Sequence, residues 1–181
     1  MKTKEELLKL VEEQGWNWVS MYQTLSEDFI HEFQDKLNWD WVSKYQILSK
    51  EFIREFQDKL NWSWMSRDQV LSEDLIREFQ DKVDWFWVAM KQILSEDFIR
   101  EFQDSVDWRL VSRDHVLSED FIREFQDRVN WSWVSENQTL SEDFFWEFCR
   151  KIDVNLINRE LNPWIREENM SDELKLFLKV R

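Results

Sequence analysis

The stretch LSEDLIREFQDKVDWFWVAMKQI, residues 71–93, contains two helix starts in 23 residues. Ser72 has the character of an N-cap, and Glu73 and Asp74 follow where the helix dipole favours negative charge. Leu71 before the cap and Ile76 at the fourth helical position form a hydrophobic staple, and Leu75, Ile76, Phe79 and Val83 continue as one stripe at helical spacing. This predicts a first helix of about 12 residues, roughly 18 Å long. Asp84 then repeats the device, with Val83 before it and Val88 as a second staple. Trp85, Val88, Ala89 and Gln92 fall at i, i+3, i+4 and i+7, one face of a second, short helix.

The unit recurs. Copies start at Leu25, Leu48, Leu71, Leu94, Leu117 and Leu140, and LSEDFIREFQD occurs verbatim at 94–104 and 117–127. A degenerate copy precedes them, from Thr3 through Trp16-Asn17-Trp18-Val19-Ser20. A helix pair this small cannot bury its own apolar side, whereas stacked pairs bury a continuous core. The expected fold is an all-α solenoid of about seven helix–turn–helix repeats in a single repeat domain, residues 1–181. It comprises an N-terminal cap and degenerate repeat (1–24), six 23-residue repeats (25–162) and a C-terminal cap (163–181). A leucine-rich-like solenoid, with W-x-W read as a strand alternation, is the alternative. Small residues such as Ser43, Ser66 and Ser112 let neighbouring helices approach. Gln23, Gln46, Gln69, Gln92 and Gln138, with His115 substituting once, are expected to form an amide ladder, since a buried amide must be hydrogen-bonded.

The ends read as caps. Thr3-Lys4-Glu5-Glu6 has capping-box spacing, Leu7, Leu10 and Val11 share a face, and Gly15 stands where a helix C-terminus favours positive φ. In the last copy Trp146 and Cys149 replace polar residues, and Val154 and Leu156 replace the Trp pair. The tail from Pro163-Trp164, with a helix from Ser171 through Leu174, Phe177 and Leu178, is expected to bury Trp146.

Composition excludes several classes. One Gly and one Pro in 181 residues leave too little turn chemistry for a β-rich protein. A net charge of −14 makes nucleic acid a poor direct partner. No stretch approaches the ~20 apolar residues of a membrane span, and the start MKTKEELLKLVEEQG lacks the apolar run of a signal peptide. With Cys149 alone there is no disulfide framework, so a soluble cytoplasmic protein, of the host cell if the chain is viral, is expected. His31 and His115 lie copies apart and no Gly-rich phosphate cradle exists; no enzyme activity, metal or cofactor is expected.

The pattern W-x-x-V-S-x-x-Q-x-L-S-E-D-F-I-x-x-F-x-D-x-V-x-W, covering residues 16 to about 157, resembles short repeat arrays encoded by giant DNA viruses and some bacteria. The resemblance implies a repeat-built scaffold of largely unassigned function. The second Trp of each copy is not a fixed part of that pattern.

That departure directs attention to Trp18, Trp41, Trp64, Trp87 and Trp133, which lie off the core face. They pack against the next copy or form a stripe that anchors a protein partner, since Trp dominates binding hot spots. Variation concentrates beside them. One position reads Asn17, Asp40, Ser63, Phe86, Arg109, Ser132, and another reads Met21, Lys44, Arg67, Met90, Arg113, Glu136. The expected function is a non-enzymatic protein–protein interaction scaffold, monomeric, with Phe86 and Met90 as the route to a dimer. Two alternatives stay open. Asp35, Asp58, Asp81, Asp104 and Asp127, beside Glu32, Glu55, Glu78, Glu101 and Glu124, could imitate a phosphate row in an acidic DNA mimic. An aromatic pocket could instead sequester a small nucleotide-like ligand. Other acids are expected to be balanced within their helices, as Glu73–Arg77–Asp81, Glu96–Arg100–Asp104, Glu119–Arg123–Asp127, Glu78–Lys82 and Glu124–Arg128.

Overall fold

A computed structural model describes residues 2–166 and 168–180; Glu167 and Arg181 of the expected C-terminal cap lie outside the described residues. Among those described the chain is all helical, with no strand, which sets the leucine-rich-like alternative aside. It is a helical-repeat fold of the solenoid class and falls into two compact units, residues 1–92 and 93–181. The boundary lies in the linker joining two copies.

The first unit holds α1 (Lys4–Gln14), α2 (Trp16–Tyr22), α3 (Glu27–Glu32), α4 (Trp39–Tyr45), α5 (Lys50–Glu55), α6 (Trp62–Asp68), α7 (Glu73–Glu78) and α8 (Trp85–Lys91). The second holds α9 (Glu96–Glu101), α10 (Trp108–Asp114), α11 (Glu119–Glu124), α12 (Trp131–Asn137) and α13 (Glu142–Phe148), a 3-10 turn at Pro163–Ile165, and α14 (Asp172–Val180). The Trp-bearing helices lie side by side, α2, α4, α6 and α8 in the first unit and α10 with α12 in the second.

Both helix starts are where the capping residues put them. Ser26, Ser49, Ser72, Ser95, Ser118 and Ser141 accept from the third backbone N–H of their helices, and Asn38, Asn61, Asp84, Asp107 and Asn130 accept from the second, the third or both in the Trp-bearing helices. Thr3 and Glu6 form a complete capping box, and Gly15 takes φ 86°, with its N–H bonded to the Val11 carbonyl. Only glycine takes that conformation cheaply.

The first helix has six residues in five copies and seven in the last, not the dozen that its apolar period suggests. In α7 the stripe runs on through buried Phe79 and Val83, yet the backbone leaves the helix at Phe79. Two side chains satisfy carbonyls that a longer helix would have used: Gln80 Nε2 donates to Arg77 O (3.3 Å) and Trp85 Nε1 to Gln80 O (3.1 Å). Lys82 and Val83 N–H both turn back to Phe79 O. The first Trp of a copy is thus a helix terminator as well as core. Trp39, Trp62, Trp108 and Trp131 donate in the same way to Gln34, Gln57, Gln103 and Gln126 carbonyls. Trp39 also packs on Phe56 with ring centroids 5.2 Å apart.

Because Asp81 lies beyond the helix, the expected charge ladders within one helix are mostly replaced by pairs between copies. Glu73–Arg77 (3.6 Å) and Glu119–Arg123 (3.6 Å) remain. Lys82 reaches Asp58 (2.5 Å) rather than Glu78, Arg128 reaches Asp104 (2.7 Å) rather than Glu124, and Lys151 reaches Asp127 (3.4 Å). Glu78 is held by Arg54 and Glu124 by Arg100, each at 2.8 Å.

The amide ladder is present. Gln46 Nε2 donates to the Gln23 (2.9 Å) and Ser20 (3.3 Å) carbonyls while its Oε1 accepts from Leu25 N–H (2.8 Å). Gln69 donates to Ser43 and Gln46 carbonyls. Gln92 and Gln138 repeat the full three-bond pattern. The recurrent serine does more than allow close approach. Ser43 Oγ donates to Trp39 O (2.6 Å) and accepts from Asn61 N–H (2.8 Å), tying one helix to the start of the next copy's.

At the C-terminus the tail continues this logic. Fully buried Asn162 replaces glutamine, donating to Gln138 O (3.0 Å) and accepting from Leu140 N–H (2.6 Å). Leu174 is fully buried, Phe177 meets Trp146 edge-on at 5.2 Å, and Trp164 lies 5.5 Å from Phe145. Trp146 is half-buried rather than buried, because α14 covers one side of its ring and its Nε1 points to Glu142.

Candidate partner-binding face

The exposed faces of the Trp-bearing helices carry the residues expected to bind a partner. Trp18, Trp41, Trp64 and Trp87 lie in the first unit and Trp133 in the second, and all are half-buried. Trp18 packs on Tyr22 at 5.3 Å and Trp41 on Tyr45 at 5.8 Å, pairs that the four-residue spacing makes neighbours on a helix.

The Trp rings do not stack on one another; cations lie between them. Lys44 Nζ lies 4.4 Å from the Trp64 centroid, 4.9 Å from Tyr45 and 5.9 Å from Trp41. Arg67 Cζ lies 4.2 Å from Trp64 and 5.3 Å from Trp87. The first unit therefore presents an alternating ridge, Trp41–Lys44–Trp64–Arg67–Trp87, held by attraction between positive charge and the electron-rich ring faces. Arg67 also pairs with Asp68 at 3.2 Å. Among the described residues Lys44 meets rings and no carboxylate.

In the second unit Leu110, buried, takes the second-Trp place, and Arg113 lies 5.7 Å from Trp133 while pairing with Asp114 at 2.8 Å. Arg109 turns to its own N-cap Asp107 at 3.6 Å. Phe86 is 45% exposed and meets Trp87 edge-on at 5.0 Å; Met90 is half-buried.

Variation at the Asp40 position has a structural partner. Asn17 Oδ1 accepts from Asn38 Nδ2 (2.8 Å), Asp40 Oδ1 from Asn61 Nδ2 (2.6 Å), and Ser63 Oγ donates to Asp84 Oδ2 (3.0 Å). At these three places the residue is an acceptor where the next copy's N-cap is Asn and a donor where it is Asp. That complementarity explains the changes at these three places without a partner. The Phe86 and Lys44 positions lack this explanation.

The acidic rows are cross-braced. Asp35, Asp58, Asp104 and Asp127 each meet a Lys or Arg of the following copy, and Glu32, Glu55, Glu78 and Glu124 meet Lys4, His31, Arg54 and Arg100. The Arg54 and Arg100 hydrogen bonds hold the Glu78 and Glu124 carboxyls below the usual carboxylate range, and both arginines are raised in turn. A duplex carries one unpaired charge per ~1.7 Å, and a row with a cation at most of its steps is a poor copy of it. A concavity of about 520 Å³ in the second unit is lined by Arg150, Lys151, Ile152, Asp153, Val154, Asn155 and Leu178, with no aromatic ring to stack a base. Among the described residues no cluster of His, Cys, Asp and Glu could hold a metal ion, and no helix is long and apolar enough to cross a membrane.

Sequence reasoning missed three features. Tyr22 and Tyr45 were discoverable from the i, i+4 rule, and Asn162 from its place one residue beyond the glutamine period. The third is the residue after each ladder amide: Ile47, Val70, Ile93 and Val116 are 88–99% exposed. No family model, characterised protein or solved structure matches this chain.

Proposed function

We propose that the chain is a non-enzymatic protein-binding scaffold whose principal contact face is the Trp–cation ridge of the first unit. With no relative to lend a function, the reading rests on these side chains. The observation that carries it is Lys44: in a chain of net charge −14, its ammonium is framed by three aromatic rings and meets no carboxylate among the described residues. A partner that brings an acidic side chain to Lys44 and an apolar one to Phe86 and Trp87 would find both charge and anchor in place. Trp and Arg are the residues most often dominant in such contacts.

The test is affinity capture on the immobilised chain from a lysate of its source organism, with Trp41, Trp64 and Trp87 changed to Ala. A second pair, Lys44→Glu with Phe86→Ser, keeps all three Trp rings and removes the cation between Trp41 and Trp64 and the ring beside Trp87. Far-UV circular dichroism checks that each variant folds. A protein retained by the wild type and lost by both folded variants supports the reading, and retention by both refutes it. Salt separates the acidic-mimic alternative: a complex built on the carboxylate rows weakens steeply as ionic strength rises, whereas a Trp-anchored one changes little.

A further inference from the structure

The linker between successive copies reads Gln-x-Leu-Ser, with His115 in place of Gln once, and its x position is Thr24, Ile47, Val70, Ile93, Val116 and Thr139. All six are β-branched, as an extended backbone favours. Thr24 and Thr139 show that a hydroxyl-bearing residue meets that demand. At the four middle copies the position is aliphatic instead, and those side chains are 88%, 99%, 96% and 91% exposed, so they contribute almost nothing to the core.

In the first unit Ile47 and Val70 are the aliphatic members of this row, and each stands almost wholly in water. The same edge is acidic. Beyond the linkers, the first turns of α3, α5 and α7 carry Glu27, Asp28, Glu51, Glu73 and Asp74 with Lys50; Arg54 pairs with Glu51 and Arg77 with Glu73 and Asp74, which leaves the edge net acidic.

We propose that this linker edge of the first unit is a second docking surface, for a basic amphipathic helix, independent of the Trp ridge. Charge complementarity selects the occupant: a second copy of the chain would set carboxylates against carboxylates at net −14 each. Geometry agrees. Packed helices lie about 8–10 Å apart, so successive copies offer an aliphatic anchor at that interval. A helix with Leu at i and i+7 repeats an apolar side chain every ~10.5 Å. Lysines between those leucines would meet the acidic first turns.

The probe is a fluorescein-labelled synthetic helix with Leu at every seventh position and Lys on the flanking faces, titrated with the full chain and read by anisotropy. Ile47→Thr with Val70→Thr, substitutions the chain itself uses at its outer linkers, should weaken binding at least tenfold with an unchanged urea midpoint. Changing the peptide's Leu to Ser should do the same. Thr24→Ile, which extends the apolar row by one copy, should tighten binding severalfold, a gain that misfolding cannot produce. Equal binding by the Thr double variant, or by the Ser peptide, would reduce the interaction to charge adsorption and overturn the proposal. So would sedimentation of the wild type as a dimer that the double variant abolishes.

Discussion

Replacing Gln138 with Leu tests whether the amide ladder holds copies together or merely fills space. The side chain is 1% exposed and makes three hydrogen bonds, to the Ser112 carbonyl (3.1 Å), the His115 carbonyl (2.8 Å) and the Leu117 N–H (2.9 Å). Leucine has nearly the same volume, so the cavity term is small. What changes is that two carbonyls and one amide lose their partner away from water. Each buried polar group left unpaired costs about 1–3 kcal/mol, so the substitution should cost about 3–6 kcal/mol, a large share of the stability of a typical domain. Gln126→Leu is the control. That side chain is half-buried, donates to Arg123 O at 3.4 Å and accepts from exposed Lys151 Nζ at 3.1 Å, groups that water can satisfy instead, so the cost should stay under about 1 kcal/mol. Urea unfolding followed by circular dichroism gives the difference, and amide exchange at Leu117 gives its location. A loss at Gln138 no larger than at Gln126, or unchanged protection of the Leu117 amide, would show that the ladder is incidental.

Other perturbations act on the remaining links between copies. Ser43→Ala removes a fully buried hydroxyl that donates to Trp39 O and accepts from Asn61 N–H, and should cost about 1–2 kcal/mol in urea unfolding. Because Arg54 and Arg100 hold the Glu78 and Glu124 carboxyls below their ordinary range, these groups stabilise the fold above the unfolded value, about 4.3. That contribution is lost as pH falls through the lower folded value. Unfolding midpoints measured from pH 7 downward should therefore drop less in a Glu78→Gln, Glu124→Gln double variant than in the wild type. Trp146→Ala removes the ring that meets Phe177 and should free α14, giving faster proteolysis within residues 168–180 while the earlier copies stay protected.

Much of this fold can be read from the chain because each capping serine, asparagine or aspartate acts on backbone two or three residues away. Local rules suffice there. The same holds for the glutamines, since a buried amide repeated every 23 residues has few ways to be satisfied. The helix length was misread because Phe79 and Val83 keep a helical period beyond the point where Gln80 and Trp85 take over the carbonyls. Period reports which side is buried, not whether the backbone is still helical. The cation ridge was hidden for another reason. Lys44 is three residues from Trp41 but 20 from Trp64, and only the packing of α4 on α6 brings them together. The complementarity of Asp40 with Asn61 was available in the letters, as donor against acceptor 21 residues on, and needed the fold to say which pairs to compare.

The open linker edge follows from how the copies are joined. Gln46 places its amide where a neighbouring strand would place a peptide group, donating to one backbone carbonyl and accepting from an N–H two residues later. Direct strand pairing would draw successive linkers to about 4.8 Å, close enough for their outward side chains to cover one another. With a side-chain amide between them, linkers stay at the helix spacing of about 8–10 Å. At that distance the outward residue of one linker cannot shield the next, so Ile47 and Val70 stand in water. The bond that makes the stack therefore leaves a row of separated positions whose side chains add almost nothing to the core.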